Sequence, residues 1–351
     1  MPDITPIKLI KKRTGMYLSL LLLITIISTI IASQLGALPI NIFKLMQGEI
    51  DNYLFKIWLD IRLPRVLLAL LIGASLALSG TILQGLFKNP LADPGLLGIS
   101  SGSALMVGIT ILLMPLLTQQ LYSLSPSTLQ FITQYLIVGA SFVGGMTVAS
   151  ILLLFSIKKR TTLLHLLLLG IAINAINGGA MGVFTYLSTD NQLRQFTLWT
   201  MGSLGTANWH SLSTAAIIII PIMLLSLKYT KALNLMQLGH EQAFYMGINV
   251  KRTQWQLLGL VSLLTGISVS LTGIIGFIGL VIPHLMRMQI SADNRFLFPA
   301  TLLGGGLFLL VADTLARTVV IPAEMPVGII TSLVGGPYFV YLIMKVKTAH
   351  F

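Results

Sequence analysis

The chain contains no cysteine, so disulfides and thiolate metal sites are excluded at once. It is nearly as poor in charge. Only 9% of its 351 residues are charged, against the roughly one quarter that a water-facing surface requires. With 55% hydrophobic residues and a mean hydropathy of +0.90, it reads as an all-α, polytopic membrane protein. Acids are the scarcest polar class, 10 against 22 Lys and Arg. No GxxxxGK[ST] loop is present, so ATP cannot bind by that route. There is no HExxH, and no paired carboxylates stand in a plausible pocket. Proton- or sodium-coupled carriers usually hold acids inside the membrane, and Asp313, near a span end, is the single candidate. No enzyme constellation emerges, and no cofactor or metal is expected to be bound by this chain.

What is present is hydrophobic length. A membrane-crossing helix needs about 20 apolar residues. Ten spans are predicted, at 15–36, 64–86, 95–116, 129–157, 162–187, 210–228, 253–273, 276–291, 297–316 and 327–344. The N-terminal basic run before 15–36 resembles a signal peptide, but the span lacks a small-residue cleavage site and is expected to be retained. The eighth span is crowded by Gly273, Gly276, Gly279 and Pro283, which predicts a short or broken helix. Ten spans put both termini on one side. Sixteen of the 22 Lys and Arg fall on that side, and six (Lys44, Lys56, Arg62, Arg65, Arg194 and Arg317) fall opposite. The positive-inside rule then makes both termini cytoplasmic. The net charge of +12 thus reads as anchoring to membrane lipid rather than as a nucleic-acid footprint.

One stretch breaks the apolar pattern. Lys228–Gln254 is a polar island with Lys228, Lys231, Glu241, Lys251 and Arg252, in which Gly239 and Gly247 punctuate two short helical pieces. On the cytoplasmic side, so ordered-looking a loop is expected to meet a partner. The outer sequence Arg62-Leu63-Pro64-Arg65 admits two readings, cations snorkelling to headgroups and cations receiving an acidic partner. Lys88–Gly95 reads as a cytoplasmic turn, with Asp93 capping the next helix and Gly98–Gly102 as a small-residue packing face. Asn174 and Asn177, with Gly178, Gly179 and Gly182, suit either helix packing or a water-filled pathway. Ser188–His210 is too polar to span and reads as an interfacial or re-entrant helix carrying Arg194. His284 and Arg287 share a face, and Asp313 and Arg317 form an i,i+4 pair expected to neutralise itself.

Five stretches, in order, carry a resemblance: RLPRVLLALLIGASLALSGTILQGLFKNPLADPGLLGISSG at 62–102, LGHEQAFYMGINV at 238–250, GIIGFIGLVIPHLMR at 273–287, LVADTLAR at 310–317 and EMPVGIITSLVGGPYF at 324–339. Together they resemble the permease subunits of iron-siderophore, heme and vitamin B12 ABC importers, the type II importer fold, over essentially the whole of 1–351. The resemblance implies one transmembrane domain, a homodimer with the pathway between subunits, two ATPase subunits below that hold ATP and Mg, and a periplasmic or surface substrate-binding protein above, all in the inner membrane. It makes 230–254 a pair of coupling helices in which Leu238, Gly239, Glu241, Ala243, Met246, Gly247 and Val250 meet the ATPase. It makes Arg62, Arg65 and Arg317 the docking points for acids of the binding protein, and it places a cytoplasmic gate at Leu91 and at Thr161 and Thr162. Arg194 near the mouth suits heme propionates or an anionic ferric chelate. Heme is the first expectation for cargo, ferric siderophore the second and cobalamin the third. The rivals are a secondary transporter, which the scarcity of intramembrane acids opposes, and a membrane scaffold, which the polar, glycine-rich span faces oppose.

Overall fold

Among the residues described in the computed structural model (5–36, 38, 40, 41, 47, 51–120, 125–157 and 162–347), all regular structure is helical. Helix α1 is Thr5–Gln34. Helix α2, Asn52–Ile57, is capped by Asp51 and runs through a π-helical turn, Trp58–Arg62, directly into α3, Leu63–Phe87. Pro64 sits in the first turn of α3, where its missing N–H is tolerated. There follow α4 (Ile99–Gln120), α5 (Pro126–Ile157), α6 (Leu163–Leu187), the short α7 (Asp190–Thr200) and α8 (Trp209–Ser226). The polar island forms α9 (Thr230–Leu238) and α10 (His240–Tyr245). Then come α11 (Val250–Thr272), α12 (Ile278–Gln289), α13 (Asn294–Ala316) and α14 (Val327–Lys347).

Eight of the ten predicted spans correspond to helices long and apolar enough to cross a bilayer. Of the other two, α14 has 21 residues, about 32 Å, which is long enough to cross. Helix α12 has 12 residues, about 18 Å at 1.5 Å per residue against a hydrocarbon core of about 30 Å. It is a half-span, as the glycine crowding predicts. Among the described residues, only the eighth of the predicted spans is matched by a helix too short to cross.

Helix α3 is the axis of the bundle. Its apolar window is 83% buried, whereas those of α1 and α6 are only 11% and 17% buried and present their sides outward. Lipid is as apolar as leucine, so burial of α3 has to be sustained by close packing and by satisfied polar groups. Both are visible. A Cβ on Gly73 would stand 2.2 Å from the carbonyl oxygen of Gly305 in α13, and one on Gly80 would stand 1.8 Å from that of Gly279 in α12, so these crossings tolerate no side chain. Polar side chains along α3 fasten it further. Ser75 donates to the carbonyl of Leu264 at 3.1 Å and accepts from Ser268 at 3.0 Å, both in α11. The Gln84 amide donates to the carbonyls of Gly279 and Leu280, at 3.3 and 3.1 Å, serving backbone near the start of the half-helix.

Gly102 packs against Gly144 of α5, as its small-residue pattern predicts. Replacing Gly73 by valine is expected to destabilise the fold by at least about 1–3 kcal/mol through overpacking. Gly259→Ala, where a Cβ meets nothing within 4 Å, leaves stability unchanged or slightly raised. Thermal unfolding of the detergent-solubilised chain measures both; equal melting temperatures would refute the crossing as a constraint.

Candidate functional site

Three regions gather the polar groups. The first is the island. Helix α9 ends at Gly239, whose φ of 148° lies where L-residues are strained, and α10 ends before Gly247 at φ 84°. These two breaks fold the segment into a bent pair that leads into α11, whose first turn Asn249 caps by accepting from Arg252 N at 3.1 Å. Of the residues expected to meet the ATPase, Leu238, Glu241, Met246 and Gly247 are exposed and Gly239 is half-buried. Val250 is half-buried against the core, whereas Ala243 is wholly buried and holds the pair in place rather than presenting a surface, a correction to the sequence reading. Sequence reasoning missed Phe244 and Tyr245, 68% and 86% exposed, with ring centroids 6.1 Å apart. Two adjacent exposed aromatics in the midst of the polar island were the available signal.

On its inner side α9 carries Asn234, also unanticipated. Its amide nitrogen donates to Asp293 Oδ1 at 2.6 Å, and its oxygen accepts from the backbone N and the amide of Asn294 at 2.9 and 2.7 Å. Asp293 is the N-cap of α13. Hydrogen bonds from the Arg295 guanidinium hold the Asp293 carboxyl down at about 2, with burial opposing and bonds from the Arg295 amide and Asn234 assisting. On α10, burial and the neighbouring Lys88 lower the affinity of His240 for a proton.

The second region is the outer end, where Arg62, Arg65 and Arg317 come together. They are not free cations, as the docking expectation assumes; all three are buried. Arg62 donates to the carbonyls of Gln34, at 2.7 Å, and Leu38, and Arg317 to those of Ala32 and Leu35 at 2.6 and 3.1 Å. Two guanidiniums thus close the C-terminal end of α1, where helix carbonyls lack partners and the dipole favours cations. Arg65 binds Asp313 through Nε and Nη2, at 3.0 and 2.9 Å to Oδ1, and gives Nη1 to Glu324 at 2.8 Å. Asp313 has therefore Arg65 as its main partner, with Arg317 more distant at 3.5 Å. The expected self-neutralising i,i+4 pair is one edge of a larger cluster. The cause is a register that sequence spacing does not show: α3 and α13 cross so closely that Arg65 reaches Asp313 across them.

The third region is a cavity of about 480 Å³ beside α3, α4, α6, α7 and α11 and the start of α12. Its polar lining includes Asp93, Ser100, Ser101, Asn174, Thr200 and Thr265. The chain reaches it by an unexpected route. After Lys88 it turns back, and Pro94–Leu97 forms a 3-10 turn in which Asp93 caps by accepting from Gly95 N at 2.8 Å. Asn174, about 16 Å along α6 from Leu163, donates to Gly95 O at 3.2 Å, so the segment read as a cytoplasmic turn climbs to mid-membrane depth. Asp93 is thus a second acid at membrane depth, one the sequence reading placed outside. Leu91 stands half-buried at the foot of this climb, its N–H held by Asn89.

Asn177 is buried and donates to Ser101 Oγ at 2.9 Å, so the two amides fasten α6 to its neighbours. Gly178, Gly179 and Gly182 face the other way, with nothing within 4 Å of a built Cβ. The amide-and-glycine face thus splits, with packing on one side and an open, outward surface on the other. Arg194 is exposed on α7. Thr162 caps α6 through a reciprocal pair with His165. Thr161, the companion gate position, lies outside the described residues. Among the described residues no three His, Asp or Glu side chains stand close enough to hold a metal ion.

Residues 20–345 match the FecCD transport family. The chain is 50% identical over 328 residues to the hemin transport system permease protein HmuU of Yersinia pestis, covering 93% of this chain and 95% of that one. It is 33% identical over 329 residues to the vitamin B12 import system permease protein BtuC of Vibrio vulnificus (strain CMCP6), covering 94% and 95%. A solved inward-facing structure of a metal-chelate type ABC transporter superposes with a TM-score of 0.81 at 31% identity, covering 94% of this chain and 99% of that one.

Two measurements test the clusters. Asp313→Asn strips Arg65 and Arg317 of their buried counter-ion and is expected to destabilise by about 3–5 kcal/mol, whereas Glu324→Gln, at a half-exposed pair, costs less than about 1 kcal/mol. Similar losses for the two in thermal unfolding would contradict this ranking. For Asp293, the folded carboxyl lies below its unfolded value near 3.9, so its contribution is fully present above roughly pH 4 and is lost as pH falls toward 2. Stability scans from pH 7 to 3 should show an acid limb that Asp293→Asn flattens; an unchanged limb would dismiss the linkage.

Proposed function

Because the chain belongs to the FecCD transport family, we propose that it is the permease subunit of an ATP-binding-cassette importer, itself without ATPase activity, whose α9–α10 island is the socket for a separate ATPase subunit. The observation that carries this is the exposed apolar surface of that island. Leu238, Phe244, Tyr245 and Met246 are all more than 60% exposed on a segment otherwise polar enough to stand in water. Exposed aromatic and methionine side chains of this kind anchor protein interfaces.

Two copies of this chain would bind two ATPases, with both termini cytoplasmic in the inner membrane. The outward faces of α6 and α14, where Ile176 and Leu333 are 71% and 66% exposed, suit a symmetric dimer with the pathway between subunits. Loop 88–98, with Leu91, and the start of α6 at 161 and 162 are the gate in this reading. A substrate-binding protein with acidic contact residues would dock at the outer Arg62, Arg65 and Arg317. Three cations against Asp313 and Glu324 leave that cluster one net positive charge, so docking should be electrostatic and salt-sensitive.

The cargo is heme in this reading, supported by the 50% identity to a permease named for hemin, with a ferric siderophore second. Cobalamin ranks below them, since the vitamin B12 permeases are 33–37% identical. Arg194, exposed on α7, is placed to attract carboxylates of an anionic cargo.

Tyr245→Asp combined with Met246→Asp is expected to abolish co-purification of the ATPase, by tenfold or more, without lowering the melting temperature. Retained capture would sink the socket. Proteoliposomes with the ATPase, the binding protein and parallel offers of heme, a ferric siderophore and cobalamin should take up heme only with ATP inside. Because Asp93 lines the cavity, a protonophore arm belongs in the same assay. Uptake that the protonophore abolishes at constant ATP would favour a proton-coupled carrier instead.

A further inference from the structure

We propose that α13 is a strut joining the ATPase socket to the outer arginine cluster, and that Asn234 is the positioning residue that fastens the socket to it. This rests on the socket and docking assignments above and adds to them the route by which one end informs the other.

The joint at the cytoplasmic end is specific. A helix start leaves its first N–H groups without partners inside the helix. Here Asn294 N is taken by the Asn234 side chain and Arg295 N by Asp293, at 2.9 Å each. Asn294 is wholly buried, so without Asn234 its N–H and amide would lose their acceptor in a place water does not reach. One amide on the socket helix therefore completes the cap of a membrane-spanning helix, and α9 cannot shift relative to α13 without breaking three hydrogen bonds.

The joint at the far end is equally polar. Nineteen residues, about 29 Å, separate Asn294 from Asp313. Asp313 is held by Arg65, which also holds Glu324 on the outer turn. Between the two joints α13 is seated on α3 at the Gly73–Gly305 crossing, and Phe298, Leu309 and Leu310 are fully buried. Pro299 removes one hydrogen bond from the second turn of α13, so the strut rests on this packing against α3 rather than on an unbroken helical ladder. Helices α8 and α11 also leave the island, but by chain continuity, and neither contributes a charged group to the arginine cluster. Helix α13 is tied by directional side-chain bonds at both ends.

If the strut couples the two sites, nucleotide on the ATPase must change the affinity for the binding protein, and the reverse. The test uses the full complex in nanodiscs and reads the Kd of the binding protein with and without a non-hydrolysable ATP analogue. The parent is expected to show a ratio within the roughly 5–150-fold range of coupled sites. Asn234→Leu should bring that ratio to near one, while capture of the ATPase and the nucleotide-free Kd stay as in the parent. Asn234→Asp faces two carboxylates together and should also lose the ratio; adding Asp293→Asn returns one amide and one carboxylate to the pair and should restore it.

A ratio that persists in Asn234→Leu, a parent ratio of one, or a reciprocal pair that assembles without restoring the ratio would each overturn the strut. Those outcomes differ from a failure of the underlying reading, in which the parent chain captures no ATPase or no binding protein at all.

Discussion

In hydrocarbon, an apolar side chain gains almost nothing by exchanging lipid for another side chain, so this bundle depends on how closely its backbones can approach. The approach is closest along α3. Gly73 meets Gly305 and Gly80 meets Gly279 with no room for a methyl group, and that nearness brings α12 and α13 against the same helix. The other polar arrangements follow from it. Arg65 can reach Asp313, and Gln84 can serve the carbonyls of Gly279 and Leu280, because the intervening side chains are absent. An importer has to move, yet this part of it is built to stay put. Motion is thereby left to elements with little burial, such as α6.

Class and most spans were legible because they rest on composition and length, which local sequence reports directly. The half-span α12 was legible too, since Gly273, Gly276, Gly279 and Pro283 each disfavour a continuous helix. The island was visible as a polarity break and its hinges as glycines. Its contact face was not fully visible. Ala243 and Phe244 are neighbours with opposite exposures, and only the turn at Gly239 determines which side of a six-residue helix faces the core. Partnerships across long separations were the least legible. Arg65 and Asp313 lie 248 residues apart, and Asn234 and Asp293 lie 59 apart; no periodicity encodes such pairs. Asp313 and Arg317, four apart, offered a nearer and incomplete answer.

The membrane-depth cavity illustrates the same limit. Three of its polar lining residues have an ordinary local explanation: Asp93 caps a turn, Asn174 bonds a carbonyl, and Ser101 accepts from Asn177. What makes them a cavity is that the chain climbs back after Lys88, whose left-handed conformation (φ 50°) starts the reversal. Left-handed residues at Lys88 and Gly98 thus bracket a loop signal, two prolines and an acid, that lies toward the middle of the membrane rather than at its edge. The chemistry was readable from residue types; its depth was not.

The closure of α1 by Arg62 and Arg317 bears on how the protein is made. During synthesis the N-terminal helix is available for insertion first. Of its last carbonyls, that of Gln34 is also met nearby by the Ile40 N–H, whereas those of Ala32 and Leu35 take their side-chain donor from Arg317 at the end of α13. The first helix is therefore completed by one of the last, and the newborn chain must hold α1 beside an unfinished bundle through most of translation. Its arginines act as a late latch on the order of assembly, so that a chain truncated before Arg317 would carry a first helix never fully closed.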